Sequence, residues 1–385
     1  TPATVDLAAV VLQDSGHLQE EDAAYYNKTR SSKHTPALPL YTEQDAIDSL
    51  KLFKPVNMEE VVQLSQKSTF RFVRAAHIMG SGMAEITCTD CPTPRKLLFT
   101  GDIGRVRDSQ IAPGKVVYAG PQEGEAVDIL VMESTYGNRL HPTTDPRPEL
   151  VKTIKDTVAR GGTVIVPAFA VERTQKFLFM IKDLMETGQI PRIPVHFDSP
   201  MAIKAIEIFV KHSEEFSEEA KALIQKYGSP LKWPGFYFDA KQEDSKKIND
   251  SNFPQIIVSS SGMATGGRVL HHILHRLPDP KNTIIFIGFQ APGTRGALIK
   301  GGAKTIKIFN QEVPVRAQIA AIEQFSDHAD TPELLEWLRT FKKAPQVTYL
   351  VHGEPAASSQ LRLAMTSALG WKVEAAQWMQ KVDVK

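Results

Sequence analysis

A layered α/β fold in two domains is what this sequence predicts, on three observations. The chain is 385 residues long, more than one ordinary hydrophobic core accommodates. Short β-rich runs alternate with helical stretches almost throughout, the pattern of sheets covered by helices. Several of those runs end on an acid or a histidine, which gathers reactive side chains at one edge of a sheet.

Along the chain, the first predicted helix covers 42–50, where Thr42 and Asp45 stand at capping-box spacing. Strands follow over 71–76, 96–100 and 128–132. The polar, proline-rich stretch 141–146 reads as a linker. Beyond it come a helix over 148–158, a strand over 163–167 and a helix over 172–185. Strands over 255–259 and 283–288 flank a helix over 267–277, and the whole looks like a self-contained α/β insert. The run 241–250 is charged and reads as a solvated helix or loop. A helix over 332–341, with Pro332 in its first turn, and a strand over 346–351 return to the first domain. The expected division is 1–140 and 323–385 in one domain, with 141–322 inserted between them.

Hydrophobic residues make up 42% and charged residues 23%, as in an ordinary soluble globular protein. No apolar run approaches the ~18 residues of a membrane span, so no membrane partner is expected. Lys and Arg number 45 against 44 Asp and Glu, a net charge of +1. A chain that binds nucleic acid through charge alone is strongly basic. Any RNA contact must therefore come from a local patch or from bound metal. The two cysteines, Cys88 and Cys91, exclude a disulfide framework and favour a reducing cytoplasm. Their C-x2-C spacing has no second pair to complete a zinc knuckle, so two thiols at a β-hairpin tip are expected.

The chemistry-bearing residues lie where strands end. The strand over 71–76 runs into His77, and that over 96–100 into Gly101 and Asp102. The strand over 128–132 runs into Glu133, and that over 346–351 into His352. Ligands gather beyond the carboxyl ends of strands in such folds, and four strands delivering metal-competent or acid–base groups there form a constellation. Singly, each has a structural reading: His77 as a hydrogen-bonded loop residue, Asp102 as a turn residue, Glu133 as a loop carboxylate. His328 and His352 each precede a helix opening, where a partly exposed histidine is usual.

Two further features compete. His271, His272 and His275 share one predicted helix, but position 272 is His where a helical zinc-protease motif has Glu, so a structural or surface role is expected. Residues 259–268 (SSSGMATGGR) follow a strand and open a helix. Backbone amides, hydroxyls and Arg268 at such a place suit a phosphate, and a flexible turn is the alternative.

In order, these segments resemble the β-CASP group of metallo-β-lactamase-fold nucleases, to which the endonuclease of mRNA 3′-end cleavage belongs, and the prokaryotic members above all. The resemblance covers the whole chain: 14–22 (DSGHLQEED), 76–83 (AHIMGSGM), 99–104 (FTGDIG) and 133–139 (ESTYGNR). It continues through 167–175 (PAFAVERTQ), 198–202 (DSPMA), 260–268 (SSGMATGGR), 288–290 (GFQ), 325–330 (FSDHAD) and 350–354 (LVHGE). It implies a metallo-β-lactamase αββα sandwich with an inserted α/β β-CASP domain that grips RNA. It further implies two zinc ions, with His77 on one, Asp102 bridging both and His352 on the other. Glu133 and His328 would form the pair that protonates the departing oxygen, and Ser260, Ser261, Gly262 and Arg268 would contact phosphate. Zinc accepts these nitrogen and oxygen donors, and direct metal–phosphate contact reconciles RNA binding with a net charge near zero.

The group's His-x-His-x-Asp-His string does not occur in the 385 residues. The resemblance places it upstream of Thr1, with 1–5 as a strand end, in the same polypeptide or in a separate N-terminal fragment. Without the opening strands, a broad apolar sheet face and an unpaired edge are expected. The leading function is a zinc-dependent ribonuclease. An inactive RNA-binding subunit and a metallohydrolase of small esters, lactams or lactones are the alternatives. Homo-oligomerisation stays open, as does endo- against exonucleolytic action.

Overall fold

The structure, a computed structural model, describes residues 1–89, 93–105, 126–169, 173–213 and 233–383. Among them, no helix is long and apolar enough to cross a membrane. Two sheets organise the chain. The first has seven strands: β1 (Val62–Ser65), β2 (Ser68–Arg74), β3 (Gly82–Cys88), β4 (Arg95–Phe99), β5 (Ile129–Glu133), β14 (Val347–Val351) and β15 (Val373–Ala375), adjacent in that order. β1 to β4 pair antiparallel, and β4, β5, β14 and β15 pair parallel.

The second sheet is parallel, in the order β13 (Gln318–Ala321), β10 (Thr283–Phe286), β6 (Val164–Pro167), β9 (Ile256–Ser259), β7 (Val195–Asp198) and β8 (Phe236–Phe238). Its central strands β6, β9 and β10 are buried at every residue. They read as unbroken apolar runs because both faces are covered, which a parallel sheet requires. Alternate residues feed two cores. Val164, Val166, Ile256, Val258 and Ile285 pack with helices Arg147–Ala159 and Arg173–Glu186. Ile165, Ile284 and Phe286 pack on the other side with helix Val269–Arg276. A small hairpin, β11 (Thr305–Ile308) with β12 (Gln311–Pro314), stands apart from both sheets.

One face of the first sheet carries Val73, Met83, Leu98, Leu130, Met132 and Leu350 into a core completed by helices Thr331–Leu338 and Pro355–Leu369. The strand register puts Phe72, Ala84, Phe99 and Val131 in one row on the opposite face. That face is only part-covered among the described residues: Phe99 is 38% and Val351 36% exposed. β1 is one edge strand of this sheet.

The start of the chain corrects one expectation. Residues 1–5 are not a strand end: Pro2–Thr29 is a 28-residue helix, with Thr1 as N-cap and Pro2 in its first turn. Both features favour helix initiation. Thr1 Oγ1 and Thr4 Oγ1 donate to the Gly80 carbonyl at 2.7 and 2.8 Å, tying the helix to the loop that follows β2. At Gly16 the helix passes so close to the 42–43 backbone that a Cβ would meet it at 2.7 Å. The capping box at Thr42 and Asp45 is present and opens helix Glu43–Leu50. The charged run forms helix Gln242–Asp250. Cys88 ends β3; Cys91, and position 172 at the expected start of a helix, lie outside the described residues.

Candidate metal centre and active site

β4, β5 and β14 are parallel neighbours, and β2 runs in the same direction as β4 because β3 is antiparallel to both. Their carboxyl ends therefore share one edge of the sheet. Left-handed residues turn the chain at three of them: Ala76 (φ 57°), Gly101 (φ 55°) and His352 itself (φ 49°). Such conformations are disfavoured for residues with a side chain and persist where surrounding structure enforces them. Here they aim His77, Asp102 and His352 inward. Ser81 Oγ fastens the first turn by accepting from the amides of His77 and Ile78 at 3.0 and 3.2 Å. Gly104 approaches this turn so closely that a Cβ would overlap the Ala76 carbonyl.

The expected residues converge. Asp102 Oδ2 lies 3.7 Å from His77 Nε2, and Asp102 Oδ1 accepts from His352 Nδ1 at 3.0 Å. One carboxylate thus faces an imidazole with each oxygen. His328 stands over them, its ring 4.4 Å from that of His77 and 6.1 Å from that of His352. His328 Nδ1 is 3.1 Å from both oxygens of Glu133. Glu133 is fully buried and also accepts from the amides of Ile103 and Thr135 at 2.5 and 3.3 Å. With Nδ1 committed to Glu133, Nε2 is the His328 atom left for the centre.

The donor set fits zinc. Asp102 faces an imidazole nitrogen of His77 and of His352, the nitrogen and oxygen donors zinc takes. The compact group with atoms within 4.8 Å of one another is His77, Asp102 and His328, so His328 also borders the metal position. Burial pushes the His77 imidazole below its ordinary value and neighbouring His328 adds to this, favouring the neutral form that ligates metals. His77 Nδ1 is buried without a partner among the described residues. Burial works to raise the Asp102 carboxyl, but the His352 hydrogen bond and the surrounding imidazoles prevail and hold it at about 2. It is a carboxylate under all physiological conditions. The hydrogen bond that His352 donates to Asp102 holds its imidazole above the ordinary value, against the effect of burial.

These opposite shifts give a pH prediction for the metal-free protein. The Asp102 contribution to stability is present above the ordinary carboxyl value and disappears as pH falls through about 2. The His352 contribution is present below its ordinary value and disappears as pH rises through the raised one. Zinc competes with the proton on His352, so uptake below neutrality should release protons and tighten as pH rises. Titration calorimetry in buffers of different ionisation enthalpy measures this, and zinc uptake without proton release would refute it.

Comparison with known proteins shows the family. Residues 174–299 match the β-CASP domain family, and residues 312–376 match a domain described as a Zn-dependent metallo-hydrolase RNA specificity domain. An RNase J-like protein of Methanocaldococcus jannaschii is 31% identical over 85% of this chain and 73% of its own length. Transcription termination factor FttA of Pyrococcus horikoshii is 28% identical over 96% of this chain but only 55% of its own, so the chain spans little more than half of that relative. A ribonuclease of Thermus thermophilus is 32% identical over 92% of this chain and 74% of its own length. This chain belongs to the β-CASP ribonuclease family of metallo-β-lactamase fold. The β-CASP match spans β7 to β10 of the six-stranded parallel sheet.

The β-CASP insert meets the centre through a chain of contacts. Gly262 packs on Phe169, Gln290 Nε2 donates to the Gly262 carbonyl at 2.9 Å, and the Phe289 ring lies 6.2 Å from that of Tyr136. Ser260, Ser261 and Gly262 line this rim at the end of β9. Ser260 Oγ accepts from Ser199 at 3.2 Å, and Ser261 Oγ accepts from the Thr265 and Gly266 amides at 3.0 and 3.3 Å. The amides of Gly262 and Met263 are left without a partner among the described residues.

Arg268 departs from expectation. Its guanidinium turns inward, donating to Asp198 Oδ1 at 2.6 Å and to the carbonyls of Asp239 and Ala240 at 2.7 and 2.8 Å. Fully buried Asp198 draws it in, so Arg268 fastens the β-CASP domain rather than reaching for phosphate. His272 serves the same network: its Nε2 meets Asp198 at 2.7 Å and its Nδ1 meets Asn249 at 2.8 Å. His271 and His275 are exposed.

Sequence reasoning missed Asp327, which stands beside His328. It is buried and takes Lys176 Nζ at 2.7 Å and Arg173 Nε at 3.2 Å, both from the insert. Burial alone would raise its carboxyl, but Lys176 and Arg173 overcome this and hold it far below the ordinary range. Asp327→Ala would take the buried carboxylate away from buried Arg173 and part-buried Lys176, at an expected cost of about 3–5 kcal/mol. Denaturant unfolding measures it, and a change near zero would contradict this role.

Proposed function

We propose that this protein is a zinc-dependent ribonuclease that hydrolyses RNA phosphodiester bonds at the His77–Asp102–His352 centre. The observation that carries the reading is the Asp102 carboxylate, one oxygen toward His77 and the other toward His352, with the Glu133–His328 pair beside it. In this reading His77, Asp102 and His352 are three of the ligands of a zinc pair. Zinc supplies there the Lewis acidity that activates water and neutralises charge on the phosphoryl oxygens.

The chain's own residues do the rest. Asp102 is fixed as a carboxylate and orients His352. Thr135 Oγ1 donates to the His352 carbonyl at 2.9 Å and sets its turn. Glu133 fixes the Nδ1 proton of His328, so the ring presents Nε2 to the cleft and delivers a proton to the departing ribose oxygen. Ser260, Ser261 and Gly262, at the end of β9, are assigned to a backbone phosphate of the same RNA strand.

The test compares turnover of labelled RNA with that of nitrocefin and a simple aryl ester by the zinc-loaded full-length protein. RNA cleavage that is abolished by chelation and restored by zinc is expected, with little turnover of the small substrates. Ester or lactam turnover without RNA cleavage would overturn the assignment.

A further inference from the structure

The His328 main chain is held by a residue outside the proposed machinery. His141 Nε2 lies 2.8 Å from the His328 carbonyl, across 187 residues of sequence. The His141 amide donates to Asp330 Oδ2 at 2.8 Å, and Thr331 Oγ1 donates to the Tyr136 carbonyl at 3.1 Å. These three bonds lace 136–141 to 328–331. The Tyr136 ring is nearly parallel to both imidazoles, 5.0 Å and 21° from His141 and 6.0 Å and 19° from His328.

The tautomer follows from the partners. A carbonyl only accepts, so His141 Nε2 carries the proton. His141 Nδ1 is buried and has no partner among the described residues, in keeping with the proton on Nε2. His141 is 7% exposed and spends its single N–H on the backbone of another histidine. His141, Asp330 and Glu333 also have ligand-competent atoms close together. They do not read as a second metal site, because Asp330 and Glu333 form the capping box of helix Thr331–Leu338 and the Arg105 guanidinium stands 3.5 Å from Glu333.

We propose that His141 is a positioning residue whose Nε2–H fixes the main chain at His328, so that the ring presents Nε2 to the substrate. This rests on the reading of His328 as proton donor. A shift of even about 1 Å in a reacting group can cost about 100-fold in rate. Contacts of this supporting kind are typically worth about 10–100-fold in activity.

The experiment measures cleavage of a short labelled RNA by the zinc-loaded full-length protein and its His141→Gln, His141→Asn, His141→Leu and His328→Ala variants. A glutamine amide nitrogen reaches the position of Nε2, whereas that of asparagine stops at Nδ1. His141→Leu and His141→Asn are expected to lose about 10–100-fold in kcat with KM and zinc content little changed. His141→Gln is expected to recover most of the loss. Unchanged kcat in His141→Leu, or equal losses in the glutamine and leucine variants, would overturn the proposal. Full activity in His328→Ala removes the proton-donor reading and this one with it. Loss in His328→Ala with none in His141→Leu overturns the role of His141 alone. Should the leucine variant not fold, nitrogen-15 NMR of the wild-type imidazoles decides. An Nε2–H tautomer of His141 supports the proposal, and an Nδ1–H tautomer overturns it.

Discussion

Replacing His328 with alanine is expected to lower kcat for RNA cleavage by about 10²–10⁴-fold, the usual worth of a positioned proton donor, while zinc stays bound. The His328 ring meets Glu133 through Nδ1 and is offered to the cleft through Nε2. The contacts of Asp102 with His77 and His352 do not pass through it. Its removal does not orphan the buried Glu133 carboxylate, which keeps the amides of Ile103 and Thr135. Metal analysis and single-turnover rates on the same preparation separate the two effects. Loss of zinc in parallel with activity would show His328 to be a ligand instead.

Asp102→Ala should behave differently. Its two oxygens face two histidines on opposite sides, and no other described carboxylate takes that position. Without it, His77 and His352 lose the charge that lets neighbouring cations sit together, and His352 also loses the partner that orients it. Zinc content and activity should therefore fall together, activity further than in His328→Ala. An Asp102→Ala protein with full zinc and measurable turnover would remove Asp102 from the ligand set.

Much of the architecture was legible in the amino-acid sequence because burial on both faces of a parallel sheet leaves a simple trace. The runs at 164–167, 256–259 and 283–286 are continuous and apolar, and each is a central strand of the second sheet. The site was legible for a related reason. Parallel strands deposit their last residues at one edge, so the gathering of His77, Asp102, Glu133 and His352 could be read from strand ends, whereas the roles proposed for them came from the family resemblance. The helix Pro2–Thr29 was not, because it buries only Ala3, Leu7, Gly16 and Ala23 and carries no strong apolar stripe. The inward turn of Arg268 was also hidden. Its partner Asp198 lies 70 residues away, and only folding shows that carboxylate to be buried without exposure. His141 was read as the first residue of a linker, since nothing local discloses a bond to a carbonyl 187 residues downstream. The one local signal was its place just after the 133–139 segment, whose Glu133 and Tyr136 both meet His328.

Crystals of the zinc-loaded full-length protein, measured on both sides of the zinc absorption edge, address the ligand assignment itself. Anomalous peaks within about 2.0–2.2 Å of an Asp102 oxygen and of His77 and His352 ring nitrogens are expected. Zinc bound elsewhere, with those three side chains uncoordinated, would contradict the assignment of this centre.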